Sequence, residues 1–481
     1  MRFYLDQHGC AKNQVDGEEI IVRLEDAGHV EVGTAAEADL IVVNSCGFIE
    51  SAKKESIDAV LGYRGSLPGK RILLAGCMAQ RYAQELAVEL PEADGIVGNA
   101  DLSAVVLAAA DLEAGGRPVI VPEAAASIGT VRRRRLLDWP GTAHVKITEG
   151  CSNNCTFCAI PLIRGALRSR PLAEIVAEIA DFVARGTREI VLVGQDLGSF
   201  GRDLAADGRG DSAPGSGTVP GRQLLPELLS AISALGGDFR LRVMYVHPDN
   251  FPLAILPLMQ ADGRLLPYFD LPFQHASPSI LARMNRRGNQ GTYLDLLATI
   301  RAALPDAMLR STFLLGFPGE TDADFAALRD FQEMARLDWL GSFAYSREEG
   351  TGAAGMKGKV PARTVASRRA AIEEAQERIT HERLQRFVGR ELEVLVEEPL
   401  EEEDGGYSIG RAWMQAPEVD GLTVIRGVFA PGAMIKVRVL AVAGVDLDAE
   451  PLDAGSPVPA SPGSPGAGQT FAASGRASKA S

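Results

Sequence analysis

The chain of 481 residues has no uninterrupted apolar run of about 18 residues, so no ordinary transmembrane helix is expected. Its opening MRFYLDQHGC lacks the long apolar stretch of a secretory leader, which points to a cytoplasmic protein with no membrane attachment. Positive charge is also short: 49 Lys and Arg stand against 63 Asp and Glu, a formal net charge of −14. Such a surface repels nucleic acid on average and sits more easily against a basic partner. Cysteine is the third scarcity. In a reducing compartment the six cysteines read as metal or redox ligands rather than as disulfides.

They divide into two sets of three. Cys151, Cys155 and Cys158 crowd into EGCSNNCTFC, and no further Cys follows. A structural zinc knuckle needs four ligands, and the fourth is missing. Three thiolates on a [4Fe–4S] cubane leave one iron free, and an open iron invites a small chelating molecule to bind it. Cys10, Cys46 and Cys77 form the second set. Each lies just past an expected strand, and Gly9, Gly47 and Gly76 beside them permit tight turns. In open α/β sheets ligands gather outside the carboxyl ends of strands, so these three thiols are expected to meet at one rim.

The fold class is α/β with a small all-β addition. RFYLD (2–6), ADLIVVN (38–44) and RILLAG (71–76) have the look of buried parallel strands, with helical patterns at 13–28 and 48–63, which makes 1–110 a Rossmann-like α/β domain. The linker VRRRRLLDWPG contains Arg132 to Arg135, read as a solvated connector in preference to an RNA or phosphate contact. Over 137–382 six strand candidates (144–150, 189–197, 240–248, 268–274, 308–319 and 341–346) alternate with helices, as in an incomplete (βα)6 barrel with its site at the strands' carboxyl ends. A Gly, Ser and Pro-rich stretch at 205–221 reads as a flexible insertion. After a long helix at 361–387, residues 385–448 read as an OB-like barrel of about five strands. The tail 452–481 is poor in large apolar side chains and is expected to be disordered.

GCSNNCTFC after HVKITE resembles the cluster loop of the radical S-adenosylmethionine (SAM) superfamily. GCAKNQVD (9–16), NSCGFIESAKKESI (44–57) and AGCMAQRY (75–82) resemble the three cysteine segments of its methylthiotransferase family, LLGFPGET (314–321) is similar to that family's SAM-contacting strand, and the last domain is similar to its TRAM module. The resemblance implies two [4Fe–4S] clusters. Cys151, Cys155 and Cys158 would hold the one that binds SAM; Cys10, Cys46 and Cys77 would hold an auxiliary one that carries the sulfur to be inserted. One SAM would methylate that sulfur, and a second would yield the 5′-deoxyadenosyl radical that takes hydrogen from an unactivated carbon. The resemblance also marks Phe157, Arg310, Gly316 and Pro318 as SAM contacts, with Gln195 and Asp196 at a strand end as SAM or substrate contacts. A low-potential electron donor and a sulfur source are implied as partners.

Two branches of the family differ in substrate: one modifies tRNA adenosine, the other, RimO-type, the β-carbon of an aspartate in a small-subunit ribosomal protein. YFDLPFQHASPSIL (268–281), with His275 as a substrate contact, and APEVDG (416–421) are similar to the ribosomal-protein branch. The charge agrees. From Arg390 to Asp448 twelve acidic residues face five basic ones, a balance of −7, and the run Glu401 to Asp404 is wholly acidic. A module that grips tRNA phosphates should be basic; this one suits a basic ribosomal protein, free or in the small ribosomal subunit. The alternatives are a tRNA adenosine methylthiotransferase and, from another class, a non-enzymatic zinc-containing RNA-binding adaptor.

Overall fold

Six parallel strands build the first sheet of the computed structural model, which describes residues 1–123, 128, 131–204, 221–400 and 406–452. They are β1 (Arg2–Gln7), β2 (Val30–Glu31), β3 (Leu40–Ser45), β4 (Arg71–Gly76), β5 (Gly95–Gly98) and β6 (Val119–Ile120), in the order β2-β1-β3-β4-β5-β6. All six side chains of β3 are buried, as a continuous apolar run between two helical layers requires. One face packs Leu40, Val42 and Leu73 against Ile20 and Val105; the other packs Ile41, Val43 and Leu74 against Val60 and Met78. The helices are α1 (Ala11–Asp26), α2 (Glu50–Ser66), α3 (Cys77–Glu89) and α4 (Ala104–Glu113). Strands β2, β5 and β6 are absent from the sequence reading, because two to four residues are too short to show a period. β6 lies past the expected boundary at 110.

The second sheet is an open half-barrel. Its strands are β7 (Thr142–Lys146), then, after a small antiparallel pair β8 (Thr148–Glu149) and β9 (Arg168–Ser169), β10 (Glu189–Val193), β11 (Arg240–Val243), β12 (Leu265–Asp270), β13 (Met308–Leu315) and β14 (Trp339–Ala344). The order β7-β10-β11-β12-β13-β14 is parallel throughout. The strand expected at 268–274 begins three residues earlier and ends at Asp270; beyond it Gln274, at φ 68°, keeps a single parallel bridge to Phe313. The helix α5 (Ile160–Arg164) follows the CxxxCxxC loop directly.

The helix Ala362–Leu384 leads into a closed barrel of β15 (Glu391–Leu400), β16 (Tyr407–Arg411), β17 (Thr423–Arg426), β18 (Met434–Ala443) and β19 (Asp446–Pro451). This is the small all-β unit expected, its last strand ending three residues beyond 448. It sits against the base of the half-barrel. Arg411, fully buried, donates to Glu189 at 2.9 Å, to Glu397 at 2.5 Å and to Thr142 Oγ1 at 3.0 Å, and Trp339 Nε1 donates to the Met414 carbonyl at 3.0 Å.

Three arginines of the run are about half exposed or more, as a solvated connector should be, and Arg133 is the exception. Arg132 pairs with Asp181, Arg134 with Glu25 and Asp26, and Arg135 with Glu31, while Arg133 is buried between Glu18 and Glu178. The run is a strap that joins α1 to the half-barrel's first long helix, so its charges are already committed. Most of the segment 205–221, the acidic run Glu401 to Asp404 and the tail beyond Leu452 lie outside the described residues. Among the described residues no helix is long and apolar enough to cross a membrane.

Candidate functional site

Three strand ends deliver the first thiol triad. Cys10 caps the N-terminus of α1, Cys46 is the first residue after β3, and Cys77 opens α3 directly after β4. Glycine lets these turns touch. A Cβ on Gly9 would stand 3.0 Å from that of Cys46, and one on Gly47 would stand 2.7 Å from the Cys77 carbonyl oxygen. Gly76 at φ 95° would press a side chain onto Ser45. Burial, with Cys77 nearby, pushes the Cys46 thiol up to about 12, and burial raises Cys77 as well. Cys10 runs the other way: desolvation raises it, but the charges of Lys12 and Arg164 outweigh that and lower it.

The second triad is held by the CSNNCTFC loop. Gly150 at φ 69° passes so close to the next turn that a Cβ would lie 2.1 Å from the Ala166 carbonyl oxygen, and Cys151 N–H donates to the Gly165 carbonyl at 3.1 Å. Asn153 is the loop's tether. Its Nδ2 donates to Asp196 at 2.8 Å and reaches Cys151 Sγ at 3.4 Å, and its Oδ1 accepts from Asn250 at 2.9 Å. Burial pushes Cys151 up to about 11 and Cys158 up to about 12. Cys46, Cys77, Cys151 and Cys158 therefore hold protons that metal binding must release. Among the described residues no three His, Cys, Asp or Glu side chains converge as a single-ion site. A cubane needs its corner ligands farther apart than one ion does, and two sets of three soft donors on glycine turns suit that larger group.

A buried charge network joins the two sites. Arg164, at the end of α5, donates to Glu149 at 2.7 Å, to Asp16 on α1 at 2.8 Å and to Cys77 Sγ at 3.1 Å. Lys146 on β7 pairs with the same Asp16 and, at 2.8 Å, with Glu149. Cys77 packs with Ala159 and Ile163 from the stretch following Cys158. One short helix therefore connects the two triads, and none of Asp16, Lys146, Glu149 or Arg164 stands out in the sequence. The Arg of IPLIRG, six residues after the last Cys, is the only local signal. A cavity of about 100 Å³ lies beside Cys10, walled by Val191, Val193, Met244 and Tyr245 of the half-barrel and by Pro417 to Val419 of the small barrel.

The other expected site residues fall into distinct roles. Gln195 donates to Glu149 at 3.3 Å, and its buried Oε1 has no partner among the described residues, which leaves an acceptor for a ligand. Asp196 accepts from Asn153, Asn250, Ser199, Gly198 and His247, so both of its oxygens are already engaged, and it serves the loop as an anchor. Phe157 packs with Ile280, Met284 and Phe317 in an apolar cluster. Gly316 donates its N–H to Glu320 at 2.7 Å, and the Pro318 carbonyl accepts from Arg283 at 3.0 Å, both within the turn after β13.

Arg310 and His275 are both buried, and Arg310 Nε and His275 Nε2, like Gln195 Oε1, have no hydrogen-bond partner among the described residues. Arg310 is paired with Asp270 at 3.0 Å and with Asp420 of the small barrel at 3.4 Å, so its charge ties two domains together. His275, expected at the substrate, is wholly buried; its Nδ1 accepts from Ser277 N–H at 3.0 Å and its Nε2 lies 3.9 Å from Glu320. It braces the turn before helix Pro278–Arg283.

Comparison with known proteins agrees with this division. Residues 2–98 match the model described as uncharacterized protein family UPF0004, 145–331 the radical SAM superfamily and 388–452 the TRAM domain. The chain is 45% identical to the ribosomal protein uS12 methylthiotransferase RimO of Treponema denticola, over 92% of this chain and 99% of that one. It is 38% identical to the protein of the same name from Thermotoga maritima, over 91% and 96%. Among solved structures, the radical SAM methyltransferase TsrM of Kitasatospora setae shares the fold at a TM-score of 0.52 and 14% identity, over 71% of this chain and 72% of that one. The radical SAM superfamily uses SAM with a [4Fe–4S] cluster, and Cys151, Cys155 and Cys158 lie within the residues that match it. The chain belongs to the RimO family of radical SAM methylthiotransferases.

Proposed function

We propose that this enzyme inserts a methylthio group at the β-carbon of an aspartate in ribosomal protein uS12. The observation that carries the reading is the joining of two thiol triads through one short helix, with Arg164 reaching from the second to the first. Cys151, Cys155 and Cys158 would hold the cluster whose open iron takes SAM; Cys10, Cys46 and Cys77 would hold the auxiliary one. When bound, these groups supply the electron, the methyl group and the sulfur of the reaction, with a low-potential donor and a sulfur source outside the chain.

The chain's own residues prepare the place. Asp196 and Asn153 fix the cluster loop from below. Gln195 offers its unpaired Oε1 to a donor group of SAM. Val191, Val193 and Met244 give the cavity beside Cys10 an apolar wall, which favours chemistry that must be kept from water. Glu418, exposed at φ 65° on the lip of that cavity, belongs to the acidic barrel, which attracts a basic protein and repels tRNA phosphates.

Deletion of the gene, followed by mass measurement of uS12 and nucleoside analysis of tRNA, tests the substrate. Loss of the modification from uS12 with tRNA unchanged is the expected result. Loss from tRNA alone refutes it.

A further inference from the structure

The three thiols of the N-terminal triad are not equivalent. Cys77 Sγ accepts side-chain N–H donors from two directions: Arg164 Nη2 at 3.1 Å and Asn99 Nδ2 at 3.3 Å. Among the described residues neither Cys10 nor Cys46 receives a side-chain donor. Arg164 comes from the far side of the domain boundary, on the helix that also follows the second triad, and is 4% exposed. Its charge is permanent, because a guanidinium does not deprotonate in a protein. Asp16 and Glu149 hold it by two further bonds, so it cannot swing away.

We propose that Arg164 is a positioning residue that raises the reduction potential of the cluster held by Cys10, Cys46 and Cys77, acting through the Cys77 thiolate. The inference rests on the reading that this triad holds a cluster. Reduction adds negative charge that spreads onto the thiolate sulfurs. A charge-assisted N–H···S bond stabilises that charge more in the reduced state than in the oxidised one, and the stabilisation is larger where water is excluded. Outer partners of this kind tune a metal group without ligating it. The Cys77 corner also packs on Ala159 and Ile163, so the tuned corner is the one that faces the second site.

The test uses the full chain with Cys151, Cys155 and Cys158 all changed to Ala, so that one cluster remains after anaerobic reconstitution. Iron and sulfide content is measured first, then the midpoint potential by EPR-monitored titration. R164Q is expected to keep the iron and to lower the reduced-to-oxidised ratio at fixed potential about tenfold, ~59 mV for a one-electron couple. R164K keeps the charge but loses the fork, and should fall between R164Q and the parent. N99A removes a neutral donor to Cys77 Sγ, together with a 3.4 Å bond to Asp16, and should shift the potential the same way by less. An R164Q protein with full iron and an unmoved potential overturns the inference; if R164Q does not fold, an unmoved potential in R164K overturns it. A parent that binds no iron overturns the cluster reading itself, and the inference with it.

Discussion

Arg133 Nη1 lies 2.5 Å from a Glu18 oxygen, and both side chains are almost completely shut off from water. The same guanidinium donates to Glu178 and to the His144 carbonyl, each at 2.8 Å, so one residue of the linker joins α1 to the half-barrel. Burial already pushes the Glu18 carboxyl up to about 7 against the pull of Arg133. Removing that partner leaves a buried acid with no counter-charge. R133M is expected to cost about 3–5 kcal/mol in denaturant unfolding, the usual penalty for breaking one side of a buried pair. R132A removes a guanidinium that is itself mostly exposed and should leave the midpoint where it is. Equal losses in the two variants would mean that burial does not govern the strap.

His275 gives a pH signature. Burial pushes its imidazole down to about 4 from the ordinary 6.5. In the unfolded chain it takes a proton near 6.5, while in the folded chain it resists until about 4. Its neutral form therefore contributes stability that is fully present above 6.5 and is lost as pH falls towards 4. H275N keeps an acceptor for Ser277 N–H but removes the titration. The stability difference between the parent and H275N should narrow across that window by up to about 3 kcal/mol. A difference that stays constant with pH would place the imidazole in contact with water.

Gly150 tests the cluster loop without touching a cysteine. Alanine there must adopt φ 69° and overlap the Ala166 carbonyl oxygen. G150A is expected to shift the loop and to lose the iron of that site, about half of the total, while the N-terminal triad keeps its share. G33A, where a Cβ meets nothing within 4 Å, is the control and should retain all of it. Iron and sulfide per chain decide the matter.

The architecture is legible in the sequence where burial is two-sided or strictly periodic: LIVVNS in β3, EIVLV in β10, and the three segments of the last barrel. Both thiol triads are legible too, since cysteine is scarce and its spacing carries chemistry. Partners distant along the chain are not. Arg164 lies 87 residues from Cys77, and Arg133 lies 115 from Glu18, and no local pattern says which arginine of a run finds a buried acid. The same holds for Arg310 and His275: each sits in a segment that resembles a functional one, and nothing local shows that the first pairs with Asp270 and Asp420 or that the second accepts from Ser277 N–H.

The division of labour between the triads is the sharpest prediction. Cys155 belongs to the loop that Asn153 and Asp196 hold at the end of β10, where the acceptor Gln195 Oε1 stands ready. C155A should abolish SAM cleavage, measured as release of 5′-deoxyadenosine, and with it all product. Cys46 belongs to the other domain, whose Cys77 corner meets the second site through Arg164. C46A should still cleave SAM at a reduced rate while attaching no sulfur to uS12, measured by mass. The charge network does not ligate either group, so it should survive C46A and keep the second triad in place. If C46A loses SAM cleavage as completely as C155A, the two sites act as one unit and the roles assigned to them fail.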